Sequence, residues 1–329
     1  MKHFFVVNPH CFRIVGQMEQ VISEIVDCFY SLDSDDYDIH FSRYPRDAVT
    51  AIYKYIKNTP AEEKVRVYAV GGDGTLFDCL NGMVDFQNAE LTSVPYGNSN
   101  TFMRVFGEKS LTEFRDLKKL TQGQSLLLDL IDCGSNCVVN ELGIGLEGEA
   151  VHRANVYFRS LLSKSKYTRL VNRHIYTIFA FLGLFNKRVM NQHYNLLVDG
   201  VDMSGRYYNI AIANGPCNGG TMTPSPYAKP DSGVLDVIFG AATGNALRAM
   251  ITITDYTNGH FEKHKLYSRV EARKLEIKSE EPISVHLDGE AFYTNYLEVK
   301  IVPQGMRFFV PEGVELQDFS HIAYKNKRA

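Results

Sequence analysis

The sequence has few cysteines, no long apolar run and no large excess of charge of one sign. Its six cysteines form no Cys-x-x-Cys pair, a pattern typical of reduced thiols inside the cell. The longest apolar run, residues 175–185, has 11 residues, whereas a membrane-spanning helix needs about 20. The apolar residues 4–7 are too few for an export signal and are followed at once by Asn8-Pro9. We therefore expect a cytoplasmic protein without a membrane span.

The net charge of −3 excludes a globally basic nucleic-acid binder, but it conceals one basic segment. Residues 150–198 contain no Asp or Glu, and the rest of the chain holds 27 bases against 38 acids. The bases of this segment, interleaved with aromatic and aliphatic residues, are Arg153, Arg159, Lys164, Lys166, Arg169, Arg173, Lys187 and Arg188. This mixture suits an anionic membrane surface, and the alternative is the solvated face of a helical insertion.

The order of strand-like and helix-like patterns predicts two domains. In residues 1–125, short apolar strands alternate with helical spacing, which favours a parallel sheet covered by helices, an α/β nucleotide-binding domain. In residues 126–302, strand-like segments are separated by turn residues, which favours an antiparallel β domain with a basic helical insertion at about 150–190.

The loop Gly71-Gly72-Asp73-Gly74-Thr75 is the strongest chemical signal. It follows an apolar strand and precedes a helix, the place where open parallel sheets bind phosphates. It lacks the Lys-Ser/Thr of a P-loop and is not Gly-x-Gly-x-x-Gly. A carboxylate among phosphates requires a cation between them, so the loop indicates a nucleotide bound with Mg²⁺.

Two further loops carry chemistry. Residues 95–101, Pro-Tyr-Gly-Asn-Ser-Asn-Thr, follow the next strand and can reach the same nucleotide. Asp288-Gly289-Glu290 follows the alternating strand 283–287, and Asp-Gly is a hairpin signal. The two carboxylates flank a glycine, so the hairpin can project one of them as a general base. Taken singly, each of these loops is also typical of an ordinary turn.

Together these motifs resemble the catalytic family of the diacylglycerol kinases, which includes bacterial soluble diacylglycerol kinases and is related to sphingosine and ceramide kinases. The resemblance covers residues 4–302. The Gly-Gly-Asp-Gly-Thr loop is shared with NAD kinases and phosphofructokinases, and the C-terminal motifs are specific to the lipid kinases. The matching segments are 8–9, 71–75, 95–100, 214–220, 229–236 and 288–290.

The resemblance implies an N-terminal α/β nucleotide domain, a C-terminal β-sandwich for the lipid, and a return of residues 303–329 to the first domain. It implies ATP and Mg as cofactors and a diacylglycerol-like lipid as acceptor. The positions matched to nucleotide contacts are Asn8, Pro9, Ser42, Gly71, Gly72, Asp73, Gly74, Thr75, Asn98 and Asn100.

For catalysis, the resemblance gives Glu290 the role of general base. Asp73 and Asp288 are expected to hold or orient Mg-bound phosphates, and Asp231 falls on a structural Mg site. The expected partners are a lipid substrate and an anionic membrane surface, with no nucleic acid, and the sequence leaves a homodimer open.

The chain departs from the family pattern at Cys11-Phe12, Asn98, Thr101 and Ser232. Two other functions stay open beside a lipid kinase that phosphorylates diacylglycerol. One is a kinase of a soluble substrate, as NAD kinase is, and the other is a non-catalytic nucleotide- or lipid-binding relative.

Overall fold

The computed structural model describes residues 1–12, 14–29, 36–159, 169–219 and 222–324, without the side chains of residues 159, 169–174 and 324. The chain forms two compact units. Unit 1 contains residues 1–130, Gly219 and residues 302–317, and unit 2 contains residues 131–218, 222–301 and 318–324.

The last residues of the chain divide between the two units. The sequence assigned residues 303–329 to the first domain, whereas in the structure residues 302–317 lie in unit 1 and residues 318–324 in unit 2. Asp318 is held within unit 2 by Lys229, whose Nζ lies 3.2 Å from its carboxylate. Residues 325–329 are outside the described residues.

Unit 1 is built on a parallel sheet. Its strands are β1 Lys2–Val7, β2 Tyr37–Phe41, β3 Val65–Gly71 and β4 Ala89–Pro95. They lie in the order β4-β3-β1-β2, and each neighbouring pair is parallel. Every residue of β3 and β4 is buried, as expected for strands that are covered on both faces. The carboxyl ends of all four strands therefore lie at one edge, where ligands bind in such sheets.

The helices of unit 1 pack on this sheet. They are α1 Gln17–Phe29, α2 Asp47–Asn58, α3 Asp73–Met83, α4 Ser110–Glu113 and α5 Leu117–Thr121, with 3₁₀ turns at Pro9–Cys11 and Phe102–Phe106. The helical spacing that predicted α1 is confirmed, since Val21, Ile25 and Phe29 are its buried residues. The Phe5 ring stacks on Tyr68 at 4.1 Å and meets Phe29 at 5.3 Å, which joins helix and sheet in one core.

The strand that completes unit 1 comes from the end of the chain. Strand β5 covers Gly123–Asp132, and β14 covers Glu290–Pro311, of which residues 302–311 belong to unit 1. Phe308 of β14 pairs with Leu91 in parallel, and the Thr92 hydroxyl donates to the Phe309 carbonyl at 2.8 Å. The rings around Phe308 are Phe102, Phe106 and Phe114.

The strands of unit 2 pair antiparallel, as the sequence predicted. Its remaining strands are β6 Cys137–Val138, β7 Glu141–Gly145, β8 Gln192–Val198, β9 Val201–Asp202, β10 Gly205–Ala213, β11 Leu235–Ala241, β12 Tyr267–Ala272 and β13 Lys274–Leu287. The pairing order is β12-β11-β10-β7-β13-β14, and β8 pairs with both β10 and β13. A register shift between Lys278 and Ile283 lets the two halves of β13 pair with β8 and β7 respectively. The strand predicted at 283–287 is thus the second half of a longer strand.

The helices of unit 2 are α6 Leu146–Arg159, α7 Arg169–Gly183, α8 Lys187–Met190, α9 Ala246–Thr257 and α10 Ser320–Tyr324. The helical insertion predicted at 150–190 coincides with α6, α7 and α8, while its residues 160–168, including Lys164 and Lys166, lie outside the described residues. Helix α9 was not predicted from the sequence. Within the described ranges, no helix has both the length and the apolarity needed to cross a bilayer.

Candidate active site

The loops after the four parallel strands meet at one edge of unit 1. The Ser42 amide donates to the Val7 carbonyl at 2.9 Å, and the Asn8 amide donates to the Val70 carbonyl at 3.0 Å. The Tyr96 amide donates to the Gly71 carbonyl at 2.8 Å. The structure therefore brings together the loops that the sequence assigned to the nucleotide.

Helix α3 presents an open N-terminus at this edge. Its N-cap residue is Gly72, and no side chain caps the helix. A Cβ added to Gly74 would meet no atom within 4 Å, so space is free beside the first turn. Asn8 Nδ2 donates to Thr75 Oγ1 at 3.3 Å, which brings an amide to the same place. Uncapped N–H groups and the helix dipole together favour a bound anion such as a phosphate.

Two glycines let the phosphate loop and the following loop pack backbone against backbone. A Cβ on Gly97 would lie 2.2 Å from Gly72 Cα, and a Cβ on Gly72 would lie 2.9 Å from Gly97 Cα. No side chain fits at either position without moving main chain. These glycines are therefore required for the close approach of the two loops.

Asp73 binds the second loop. Its Oδ1 accepts a hydrogen bond from the Thr101 amide at 2.6 Å, and the Thr101 hydroxyl lies 3.5 Å from Oδ2. Burial raises the pKa of this carboxyl, and the backbone N–H groups of Thr101, Phe102 and Asn100 oppose that shift. The observed contacts thus tie the two loops together, and the predicted contact of Asp73 with Mg-bound phosphates stays a prediction.

Three other predicted nucleotide residues occupy different environments. Pro9 is the first residue of a 3₁₀ turn, whose cap is the Asn8 side chain. Asn98 is exposed. Asn100 is buried, with φ of +47°, and its amide both donates to and accepts from the backbone of Gly97. Asn100 therefore shapes the loop, and its contact with the nucleotide stays a prediction.

An aromatic pair at the same edge was not singled out from the sequence as a functional group. The rings of Phe12 and Tyr96 lie 5.1 Å apart, and the Arg115 guanidinium lies 4.9 Å from the Tyr96 ring. Arg115 is fixed by donating to the Pro95 carbonyl at 2.7 Å. Phe12 is one of the departures from the family pattern, and only the fold reveals its neighbour.

The hairpin predicted at Asp288-Gly289 is present in unit 2. Both residues have positive φ, +46° and +98°, which a two-residue turn of type I′ requires. The Asp288 carboxylate accepts the amides of Val139 and Glu141 at 2.9 Å and that of Asn140 at 3.3 Å. These contacts anchor the hairpin to the chain before β7, and the predicted contact of Asp288 with phosphates stays a prediction.

Glu290 follows the turn as the first residue of β14, and it is exposed. Its side chain is therefore accessible to a substrate, as a general base must be. The neighbouring turn carbonyl, that of Gly289, accepts a hydrogen bond from the Asn155 side chain at 2.9 Å. Helix α6 thus supports the turn that presents Glu290.

The turn predicted to hold a structural Mg site contains Asp231, which is exposed. The Ser232 hydroxyl donates to the carbonyls of Lys229 and Val234 within this turn. Among the described residues, one group of three side chains has the spacing of metal ligands. It consists of Glu141, Glu147 and His286 and does not include Asp231. The role of Asp231 as a metal ligand stays a prediction.

Unit 1 has an uncapped helix N-terminus at its strand ends, and unit 2 has an accessible carboxylate. This combination fits the class of two-domain phosphotransferases. Comparisons with known proteins agree with this class. Residues 2–133 match the diacylglycerol kinase catalytic domain, and residues 163–310 match the YegS C-terminal NAD kinase beta sandwich-like domain. The chain therefore combines a catalytic domain of the diacylglycerol kinase family with a YegS-type C-terminal domain.

Individual relatives are distant. A protein of Staphylococcus epidermidis named "Putative lipid kinase" is 24% identical over 264 residues, which is 77% of this chain and 80% of that protein. A protein of the same description from Staphylococcus aureus is 22% identical over 270 residues, 78% of this chain and 82% of its own. A crystal structure described as a diacylglycerol kinase from Bacillus anthracis superimposes with a TM-score of 0.68 at 20% identity, covering 95% of this chain and 98% of that one. At this identity the structural likeness shows the fold.

Proposed function

We propose that this protein is an ATP-dependent lipid kinase that transfers the γ-phosphoryl group to a lipid hydroxyl, with diacylglycerol as the preferred acceptor and phosphatidic acid as the product. The observation that carries the proposal is the uncapped N-terminus of α3 at the meeting point of four strand ends. Such a site takes a phosphate, and the Gly72–Gly97 contact holds it in one shape.

The residues at this edge fit a nucleotide. ATP supplies the phosphoryl group and the leaving group of the reaction. The amides of the first turn of α3, beside the open space at Gly74, are placed to bind phosphate oxygens. The Asn8 amide, held on Thr75, is placed to bind the same group. The Phe12 and Tyr96 rings offer apolar surface suited to a base.

Asp73 fits Mg²⁺ less well. Its carboxylate already accepts backbone N–H groups, which a cation would have to displace. Family membership makes a divalent cation the usual companion of ATP, and we expect Mg²⁺ to arrive with the nucleotide. We propose that Asp73 keeps the two loops in place while the phosphates carry the cation.

Glu290 is the candidate base for the acceptor hydroxyl. It is exposed on a hairpin whose turn is held by Asp288 and Asn155. A carboxylate within hydrogen-bonding reach of the lipid hydroxyl accepts its proton as the new bond to phosphorus forms. In this proposal Asp288 acts on catalysis by positioning Glu290.

The test is a transfer assay with radiolabelled ATP and three acceptors, namely diacylglycerol in mixed micelles, a total lipid extract, and NAD. We expect labelled phosphatidic acid, and we expect Glu290→Gln to lower kcat by about 10²-fold or more with little change in ATP affinity. Glu280→Gln is the matched control, since Glu280 is also an exposed glutamate of unit 2, and it should leave kcat unchanged.

Each other outcome points to a named alternative. Labelled NAD without labelled lipid would identify a soluble-substrate kinase. ATP binding without turnover on any acceptor would identify a non-catalytic relative. Normal turnover by Glu290→Gln would show that another residue is the general base.

We further propose that this is a peripheral membrane protein of the cytoplasm, and that the α6–α7 region, about residues 150–190, binds an anionic membrane surface. Large apolar side chains are exposed on and after α7, with Phe181 at 45% and Phe185 at 64% of their accessible surface. The chain around them carries eight bases and no acid between residues 150 and 198. Apolar groups that enter the interface and bases that attract anionic lipids bind such surfaces together.

Vesicle co-sedimentation tests this proposal. We expect binding to anionic vesicles, little binding to neutral ones, and release as salt is raised. The double variant Phe181→Ser/Phe185→Ser should sediment less. The control Ile14→Ser/Val15→Ser changes two apolar residues of unit 1 that are even more exposed, and it should sediment as the wild type does. If all three proteins sediment equally, the α6–α7 region does not bind the membrane and is a solvated helical surface.

A further inference from the structure

Three ionisable side chains of unit 2 meet in its interior through atoms that have no hydrogen-bond partner in the described residues. His286 Nε2 lies 3.7 Å from Glu141 Oε1 and 4.0 Å from Glu147 Oε2. Among the described residues, these three atoms and His286 Nδ1 are buried and have no hydrogen-bond partner. Glu141 and His286 are each about 3% exposed. Buried polar atoms are satisfied in nearly all native proteins, so this group needs an explanation.

Three different elements deliver the three side chains. Glu141 begins β7, Glu147 lies in the first turn of α6, and His286 lies near the end of β13. Strands β7 and β13 pair with His286 opposite Gly143, which fixes the imidazole over β7. The Tyr256 hydroxyl donates to Glu147 Oε1 at 2.8 Å. This bond leaves Glu147 Oε2 directed at His286.

The space between the donor atoms is kept open by a glycine. A Cβ on Gly143 would lie 2.3 Å from His286 Nε2 and 2.6 Å from Glu147 Oε2. The backbone of Gly143 is not in the positive-φ region, so its conformation alone does not require glycine. A glycine inside a strand often marks a place that another group approaches closely.

The charges of the group are unbalanced. Glu141 and Glu147 have no Lys or Arg partner in the described residues, and two buried carboxylates without a cation are costly. A dication offsets two carboxylates, and a neutral imidazole is a metal ligand.

We propose that Glu141, Glu147 and His286 form a binding site for one divalent transition-metal ion, Zn²⁺ or Mn²⁺, inside unit 2. All three residues belong to unit 2, and the proposal does not depend on the kinase activity. An imidazole with two carboxylates suits these ions, whereas Mg²⁺ and Ca²⁺ prefer ligand sets made of oxygen alone.

The separations are close to those around a bound ion. Ligands about 2.1 Å from a tetrahedral zinc lie about 3.4 Å apart. The two distances from His286 exceed this value by a few tenths of an ångström, and all three ligand atoms lie within 4.8 Å of one another. The Glu147 side chain retains 19% exposure, which leaves a route for the ion. The bond from Tyr256 to Glu147 is of the kind that orients metal ligands.

The experiment uses the full-length protein, stripped with a chelator and titrated with ZnCl₂ or MnCl₂ in a calorimeter, with thermal unfolding followed in parallel. We expect one ion per chain and a Tm that rises with metal. Glu141→Gln and His286→Gln should abolish this binding and the rise in Tm. Tyr256→Phe, which keeps all three ligands, should weaken binding by about 10-fold or more.

Gly143→Ala tests the cavity itself, because it keeps every ligand and fills the space between them. It should lose binding while its circular dichroism stays that of the wild type. Glu147→Gln is the alternative if Gly143→Ala does not fold. His264→Gln is the matched control, since His264 pairs with Asp255 at 2.6 Å on a more exposed surface, and it should bind metal as the wild type does.

Several results would overturn the proposal. One is a wild-type protein that binds neither ion. Another is binding that survives Glu141→Gln and His286→Gln. A third is binding that is lost in His264→Gln, which would place the metal at the surface pair. A Tm that rises equally with MgCl₂ would also contradict the donor chemistry.

Discussion

Substitution of Asp288 by Asn separates a structural role of this residue from a chemical one. Its carboxylate accepts three consecutive backbone amides, two at 2.9 Å and one at 3.3 Å. Asn tolerates the positive φ of this position, so the turn itself is not strained. However, its NH₂ group would face N–H donors, and the charge that strengthens the remaining bonds would be lost. Each hydrogen bond to a charged group contributes about 1.5–3 kcal/mol. We expect the free energy of unfolding to fall by roughly 3 kcal/mol, the equivalent of one or two such bonds.

Urea unfolding followed by circular dichroism measures this loss, and lipid phosphorylation is measured in parallel without denaturant, where the variant is folded. Asp231→Asn is the matched control, because Asp231 lies on an exposed turn. It should change stability by less than about 0.5 kcal/mol. In Asp288→Asn we expect stability and kcat to decline together, since the hairpin also positions Glu290.

The contrary result is equally clear. An Asp288→Asn protein that unfolds at the wild-type urea concentration but has lost turnover would show that the carboxylate acts on the reactants. The anchoring role derived from the three amides would then be wrong.

Other substitutions test unit 1. Gly97→Ala places a methyl group against Gly72 and should lower the free energy of unfolding by about 1–3 kcal/mol and weaken ATP binding. An unchanged midpoint of urea unfolding would contradict the packing of the two loops. A methyl group at Gly74 would contact no other atom, so Gly74→Ala should stabilise the helix by up to about 1 kcal/mol. It should weaken ATP binding by about tenfold. Unchanged ATP affinity would show that the phosphates bind at another place. Burial lowers the pKa of His3 from 6.5 to about 4, so the unfolded chain takes up the proton first. Stability should therefore be full above pH 6.5 and fall by up to about 3 kcal/mol towards pH 4. His3→Gln should make the free energy of unfolding less dependent on pH. If urea unfolding shows the same pH dependence for wild type and variant, His3 is not the group responsible.

The position of the nucleotide loops could be predicted because it depends on topology alone. Any strand–helix alternation that forms a parallel sheet brings the strand ends to one edge, and residues 8, 42, 71–75 and 95–101 each follow a strand. The directions of side chains could not be predicted in this way. Asp73 and Asp288 both carry charge beside glycines, yet their carboxylates accept backbone amides.

The parts that the sequence did not reveal have physical causes. Helix α9 is followed and preceded by strands with turn residues between them, so its helical spacing was hidden in a β-rich pattern. Glu141 and Glu147 are separated from His286 by about 140 residues, and nothing local distinguishes them from surface residues. Only the pairing of β7 with β13 brings them together.

The return of residues 302–317 to unit 1 has a consequence for biosynthesis. A ribosome delivers residues 1–130 long before the strand that lies beside β4. Until that strand emerges, β4 is an exposed edge, the Thr92 hydroxyl lacks its acceptor on Phe309, and Phe102, Phe106 and Phe114 lack the ring of Phe308. Exposed edges and uncovered aromatic rings promote aggregation. Residues 1–130 therefore keep this edge and these rings uncovered until the ribosome has passed residue 311.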